Sequence, residues 1–102
     1  MNNPIQSTLG LAMRAGKLVA GDEAVMKVIR SGQAQLVIIA HDAAYHARKK
    51  MNDKCKSFRI PIAEYGTRAE LGSCIGKAER VVIAITDEGF AELITKRMEK
   101  PE

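Results

Sequence analysis

The sequence of 102 residues is poor in aromatic side chains, since two Tyr, two Phe and no Trp make up 4%. It has two cysteines, Cys55 and Cys74, which are too few for the disulfide framework of a small secreted domain. No apolar run is longer than Leu36–Ala40, which is far too short to cross a bilayer. Met1–Ser7 lacks the basic and apolar stretches of a secretory signal. We therefore expect reduced thiols, a cytoplasmic location and no membrane partner.

The rest of the composition is that of a packed domain. Hydrophobic residues make up 46% and charged residues 27%, which excludes a disordered chain. The length suits one domain, and no repeat, low-complexity tract or linker interrupts it. We expect a single domain over residues 1–102 with a tail that frays after about residue 97. A small, aromatic-poor domain with a net charge of +4 is a binding module more often than an enzyme.

Motifs for catalysis and cofactors are missing or incomplete. Gly72–Lys77 has three residues between its glycines where a P-loop needs four, and no dinucleotide-binding glycine pattern occurs. His41 and His46 have no third ligand at metal spacing. Cys55 and Cys74 fall on helix faces predicted to be buried, although the sequence alone leaves a Cys–His pair open. We expect no catalytic residue, no metal and no cofactor.

Helical and strand patterns alternate through the chain. Amphipathic spacing predicts helices that begin near Ile5, Gly21-Asp22, Ala43, Thr67 and Asp87. Strands are predicted at Lys17–Ala20, Gln35–Ala40, Ile60–Glu64 and Val81–Thr86. The capping box Thr67–Glu70 and the N-cap Asp87 support two of the helix starts.

Burial is predicted from the same patterns. The last helix is expected to bury Phe90, Leu93, Ile94 and Met98. The apolar runs at Gln35–Ala40 and Val81–Thr86 do not alternate, which favours strands buried on both faces. The fold class expected is therefore α/β, a single-domain three-layer α/β/α sandwich with a mixed, mostly parallel sheet of about four strands.

Positive charge is concentrated in the first part of the chain. Residues 1–59 carry ten basic and four acidic side chains, a net +6, whereas residues 60–102 carry six and eight, a net −2. The basic residues from 48 to 59 are Arg48, Lys49, Lys50, Lys54, Lys56 and Arg59, around the single acid Asp53. This pattern is equally typical of a phosphate-binding surface and of a solvated helix face. Aromatic residues are not interleaved with it, which disfavours recognition by base stacking.

The start of the second helix has two interpretations. Asp22 and Glu23 suit a helix N-terminus, and Glu23 with Lys27 is a common surface ion pair one turn apart. The same geometry suits guanine recognition, because a carboxylate accepts from N1–H and N2–H while an ammonium donates to O6 or N7. On these physical grounds alone the structural interpretation is favoured.

The stretch from Gly21 to Asp42, GDEAVMKVIRSGQAQLVIIAHD, resembles the ribosomal kink-turn RNA-binding family, the L-seven-Ae and L-thirty-e group. Cys55, Ile60-Pro61, Arg68 and Leu71-Gly72 follow the family's second signature in the right order. The resemblance covers roughly residues 8–95 and is strongest to the bacterial YlxQ-like members. It implies the α/β/α sandwich and a non-enzymatic protein that binds a kink-turn or similarly bent structured RNA, ribosomal or regulatory, as a cytoplasmic monomer.

The resemblance also implies a set of contact residues. Gly21 would let the backbone approach the RNA, with Asp22 beside it, and Glu23 and Lys27 would read guanine edges. The loop at Ile39–Ala43, with His41 and Asp42, would line the neighbouring contact. The third contact loop would hold Ile75, Gly76, Lys77 and Arg80, which pack on an extruded base or pair with phosphate.

Two departures that bear on the RNA contacts, and two alternatives, accompany the resemblance. The family usually has Asn where this chain has Asp22, and an ionised carboxylate only accepts hydrogen bonds and adds negative charge near phosphate. The loop from Gly76 to Arg80 is short. One alternative is a protein-interaction module with its acidic C-terminal half as the surface. The other is an RNA-docking domain that acts with a separate modifying enzyme.

Overall fold

The computed structural model describes residues 4–99. Helices and strands alternate as α1 (Pro4–Arg14), β1 (Leu18–Ala20), α2 (Asp22–Arg30), β2 (Leu36–Ile39), α3 (Tyr45–Phe58), β3 (Ile62–Glu64), α4 (Arg68–Cys74), β4 (Val82–Ile85) and α5 (Glu88–Glu99). The predicted elements are all present, with α3 beginning at Tyr45 instead of Ala43. Residues 100–102, part of the tail predicted to fray, lie outside the described residues.

The four strands form one mixed sheet in the order β1-β4-β2-β3. The strands β1 and β3 are its edges, and Pro61 comes just before edge strand β3. The mixed sheet expected from the sequence is confirmed, since β1, β2 and β3 run in the same direction and β4 runs opposite to them. Because β4 lies between β1 and β2, β2–β3 is the one neighbouring pair of this sheet that is parallel. The apolar runs of β2 and β4 indicate strands that are buried on both faces. Such a strand can be parallel or antiparallel to its neighbours, so the runs do not predict strand direction.

Helices cover both faces of the sheet, which confirms the three-layer sandwich. Leu36 and Ile38 of β2 belong to a core cluster with residues of α1, α4 and α5. Val37 and Ile39 belong to a second cluster with residues of α2 and α3. Successive side chains of a strand point to opposite faces, so a run of apolar residues fills both cores.

The helix starts predicted from capping residues are confirmed. The Glu70 N–H donates to Thr67 Oγ1 at 3.1 Å, and the Thr67 N–H donates to Glu70 Oε1 at 2.8 Å. The Phe90 N–H donates to Asp87 Oδ2 at 2.8 Å. Each bond pairs a backbone donor that the first turn of a helix leaves free.

The buried face of α5 differs from the prediction at Leu93. Ala91 and Ile94 are buried, Phe90 and Met98 are partly buried, and Leu93 is 39% exposed. Adjacent helix residues are turned by about 100°, so the contact through Ile94 leaves Leu93 facing solvent. Among the helices of residues 4–99, none is both long enough and apolar enough to span a membrane.

Candidate nucleic-acid interface

One end of the sheet gathers the three segments expected to contact RNA. The strands β1 and β2 end there and β4 begins there. The Gly21 N–H donates to the Val82 carbonyl at 3.0 Å, and the Ala40 N–H donates to the Val81 carbonyl at 2.9 Å. The start of α2, the loop after β2 and the loop before β4 therefore share one edge.

Two of these segments are also joined through the start of α4. The Arg80 N–H donates to the Arg68 carbonyl at 3.0 Å. The Arg68 N–H in turn donates to Asp42 Oδ1 at 2.9 Å, and Arg68 Nε lies 3.5 Å from Asp42 Oδ2. The hydrogen bond from the Arg68 backbone lowers the pKa of Asp42 below its ordinary value, and the Arg68 charge adds to the effect. Asp42 thus holds the loop after β2 against α4.

The start of α2 presents backbone and side chains together. Gly21 is its N-cap with φ 97° and no side-chain cap, a conformation that L side chains rarely adopt. Glu23 and Lys27 are exposed one turn apart. Within residues 4–99 neither side chain has a hydrogen-bond or ion-pair partner. The surface pair that the structural interpretation requires is therefore not formed, and both side chains are available to a ligand.

Asp22 lies beside Glu23 but has a protein partner. Lys50 Nζ in α3 donates to Asp22 Oδ2 at 2.7 Å, and both side chains are about half exposed. The pair stands at the rim of a groove of about 320 Å³ between α2, α3 and the start of β4, which His46 and Val82 also line.

The loop after β2 contains a second network. His41 Nδ1 lies 3.2 Å from Glu64 Oε1, and Arg48 forms an ion pair with the other oxygen of Glu64. Arg48 Nη2 also donates to the His41 carbonyl at 2.7 Å. His41 is exposed at the sheet end, with its backbone held from two sides because its N–H donates to the Gly66 carbonyl at 2.7 Å. The network positions His41 on the candidate surface.

The third segment is only partly a surface. Ile75 is 7% exposed and packs in the core with α1 and α5. Gly76 and Lys77 are exposed, and Lys77 has no side-chain partner within residues 4–99. Arg80 Nη1 donates to the Glu79 carbonyl at 2.8 Å. The structure therefore places Gly76, Lys77 and Arg80 where a ligand could reach them and Ile75 where it could not.

The basic residues of α3 do not form one patch. Arg48, Lys49 and Lys50 are paired with Glu64, Asp53 and Asp22. Lys54, Lys56 and Arg59 lie toward the C-terminal end of α3, away from the loop that precedes the helix. At 1.5 Å per residue a helix of 14 residues is about 21 Å long, so these charges lie at a distance from the candidate interface.

Sequence reasoning missed the roles of several residues. Lys50 was counted only as one of a cluster, and 28 positions separate it from Asp22. Gly72 belongs to an incomplete P-loop pattern and to a family signature, and neither indicates that a Cβ there would lie 1.9 Å from the Ala78 carbonyl oxygen. Tyr45 is 70% exposed at the start of α3, next to the loop after β2. Its position two residues past the predicted helix start at Ala43 is a signal that could have placed it at this edge.

Other chemistry at this end of the sheet is limited. Within the described residues no three His, Cys, Asp or Glu side chains are grouped to hold a metal ion. The thiol of Cys55 is buried between α3 and the sheet, and burial raises its pKa to about 11. Burial also raises the pKa of the half-buried Cys74 thiol. Both thiols are therefore protonated near neutral pH and poor nucleophiles.

Comparison with known proteins identifies the family. Residues 3–95 match the family described as "Ribosomal protein L7Ae/L30e/S12e/Gadd45 family". The chain is 48% identical over 83 residues to the RNA-binding protein YlxQ of Bacillus subtilis (strain 168), covering 81% of this chain and 83% of that protein. It is 37% identical over 93 residues to the large ribosomal subunit protein eL30 of Spodoptera frugiperda, covering 89% and 82%.

Solved structures agree on the fold. A protein with unknown function from Bacillus halodurans C superposes with a TM-score of 0.93 at 43% identity, over 97% of this chain and all of that one. The Giardia lamblia 15.5kD RNA binding protein superposes with a TM-score of 0.79 at 21% identity, over 97% and 92% of the two chains, which supports the fold alone. The matched length, the identities and the fold together show that the chain belongs to the Ribosomal protein L7Ae/L30e/S12e/Gadd45 family.

Proposed function

We propose that the chain is a non-enzymatic RNA-binding protein that recognises a kink-turn or similarly bent structured RNA, ribosomal or regulatory, as a cytoplasmic monomer. The observation that carries the proposal is the meeting of three loop segments at one sheet end, with Glu23 and Lys27 exposed and unpaired. Relatives named as RNA-binding and ribosomal proteins support the RNA partner.

In the proposed interface, one set of residues selects guanine and another set supplies affinity for the RNA backbone. Glu23 would accept from guanine N1–H and N2–H, and Lys27 would donate to guanine O6 or N7. The phosphates and sugars would be approached by Gly21, Gly76, Lys77 and Arg80. These contacts would supply an affinity that decreases as the salt concentration rises. Asp42 and His41 would hold and present the middle loop. Ile75 is left out of the proposed contacts because its side chain is buried in the core.

Binding of this kind stabilises one conformer of the RNA. A bent RNA and its extended form interconvert, and a protein that contacts only the bent form shifts the population toward it. This effect needs no catalytic group, since it is driven by the difference between the protein's binding free energies for the bent and the extended RNA.

A gel-shift comparison tests the proposal. The two probes are a kink-turn duplex with tandem sheared G·A pairs and the same duplex with those pairs replaced by Watson–Crick pairs. We expect the kink-turn duplex to bind at least about tenfold more tightly, in line with the cost of a mismatched recognition site. Equal affinity for the two duplexes would contradict specific recognition.

Two further measurements separate the alternatives. Fluorophores on the two arms of the duplex report bending directly, and the protein should bring them closer at low Mg²⁺. A pull-down from nuclease-treated lysate examines the interaction-module alternative, since a stable protein partner that survives removal of RNA would favour it.

A further inference from the structure

The ion pair between Asp22 and Lys50 joins the start of α2 to the first half of α3. Lys50 Nζ lies 2.7 Å from Asp22 Oδ2, which is the short distance of a charge-assisted hydrogen bond. The two side chains are 55% and 45% exposed, so the pair faces solvent at the candidate interface. Within residues 4–99, Asp22 Oδ1 has no hydrogen-bond partner.

Asp22 alone would oppose RNA binding. It adjoins Glu23 in the first turn of α2, so two carboxylates lie together on the edge that the proposed function turns toward a polyanion. Like charges brought together repel, and the repulsion grows as water leaves the interface. One of the two carboxylates needs a neutralising partner if the RNA is to approach closely.

Lys50 supplies both the charge and the missing donors. An ionised carboxylate only accepts hydrogen bonds, whereas an ammonium has three donors and no acceptor. With one Nζ donor on Oδ2, the pair still offers a carboxylate acceptor and two ammonium donors side by side. A neutral amide side chain presents the same combination of donor and acceptor with no net charge.

Building on the proposed function, we propose that Asp22 and Lys50 act as one RNA-recognition unit, in which Lys50 neutralises Asp22 and donates the hydrogen bonds that a carboxylate cannot donate. The target is an RNA group that donates and accepts at neighbouring atoms, such as a ribose 2′-hydroxyl or a base edge. Lys50 does not serve as an independent phosphate contact.

A double-mutant cycle on the kink-turn duplex tests this unit. The proteins are the wild type, Lys50→Ala, Asp22→Asn and the double variant. Lys50→Ala should weaken binding about tenfold in the wild-type background, since a hydrogen-bonded charge loses its partner. Asp22→Asn should stay within about threefold of the wild type, and adding Lys50→Ala to it should cost less than about twofold.

A neighbouring ion pair provides the matched control. Lys49 is also exposed on α3 and pairs with Asp53 one turn away, with Nζ 3.2 Å from Oδ2. Lys49→Ala removes the same charge and should leave RNA affinity within about twofold. Exposed ion pairs contribute little to stability, so thermal unfolding should show all five proteins folded.

The salt dependence of binding distinguishes recognition by the Asp22–Lys50 pair from an independent phosphate contact of Lys50. A lysine that neutralises a phosphate contributes about −0.9 to the slope of log affinity against log salt. Lys50→Ala should leave that slope unchanged in the wild-type background. Equal losses for Lys50→Ala in both backgrounds, or a slope reduced by about one, would show a direct phosphate contact and overturn the inference.

The outcomes also separate this inference from the proposed function. If the wild type fails to distinguish the kink-turn duplex from its Watson–Crick control, the proposed function fails. If it distinguishes them and Lys50→Ala has no effect in either background, only the recognition unit is overturned.

Discussion

The loop before β4 folds directly over the helix that precedes it, because a Cβ atom on Gly72 would lie 1.9 Å from the carbonyl oxygen of Ala78. The Lys77 N–H also donates to the Gly72 carbonyl at 2.8 Å. Glycine is required here by close backbone approach, and the neighbour that a side chain would meet is backbone, which cannot turn aside. The shape of the third candidate contact loop thus depends on a residue that touches no ligand.

Gly72→Ala should displace the loop from Gly76 to Arg80. Overpacking of this kind costs about 1–3 kcal/mol, measurable by urea unfolding. Affinity for the kink-turn duplex should fall as well, because Lys77 and Arg80 move with the loop. Ser73→Ala is the control, since Ser73 is exposed on the same helix. A Gly72→Ala protein with wild-type stability and RNA affinity would contradict this account of the loop.

Lys27→Ala should weaken kink-turn binding by about 1–3 kcal/mol if the ammonium reads a guanine. The loss of affinity should be larger for the kink-turn duplex than for the Watson–Crick control, because a base contact depends on the RNA sequence and a phosphate contact does not. Gel shifts on both duplexes measure the two losses.

Lys96→Ala is the matched control for that variant. Lys96 is exposed and lines a groove with Gln35 and Pro61, which precede β2 and β3 at the opposite end of the sheet. Its removal should leave kink-turn affinity within about twofold at moderate salt. A loss as large as that of Lys27→Ala would indicate general charge attraction instead of a located site.

Asp42→Asn should lower the free energy of unfolding at neutral pH, and the difference from the wild type should disappear in acid. The Arg68 N–H lowers the folded-state pKa of Asp42, so ionised Asp42 stabilises the fold above its unfolded pKa of about 3.8. That contribution is lost as pH falls through the lowered value. The unfolding free energies of the wild type and Asp42→Asn, measured in urea from pH 7 down to acid, should therefore converge. Asp53→Asn is the control at pH 7, where loss of its exposed ion pair with Lys49 should cost at most about 1 kcal/mol.

Cys55 should make the fold sensitive to alkali. Burial raises the folded-state pKa from 9.0 to about 11, so the thiol contribution is complete below pH 9 and is lost as pH rises toward 11. The expected loss is on the order of 2 kcal/mol. Cys55→Ala should flatten the fall of unfolding free energy between those pH values, and an identical slope would contradict the assignment. Alkylation of Cys55 should likewise require unfolding.

Much of this protein is determined by local sequence. Apolar spacing, the capping box at Thr67 and the N-cap at Asp87 located the helices, because these signals act over three or four residues. The motif from Gly21 to Lys27 likewise indicated the candidate site, since Glu23 and Lys27, which are proposed to contact guanine, lie one turn apart on one helix. Unalternating apolar runs indicated strands buried on both faces.

Only the tertiary structure decided the relationships between distant segments. Whether β4 runs parallel or antiparallel to β2, and which way Leu93 faces, depends on packing that no local pattern encodes. The absence of an ion pair between Glu23 and Lys27 changed the balance between a structural and a functional interpretation. The ion pair Asp22–Lys50 joins two side chains that are 28 positions apart, and the close approach of Gly72 to Ala78 joins two backbone segments, so the fold and not a helical motif sets both contacts.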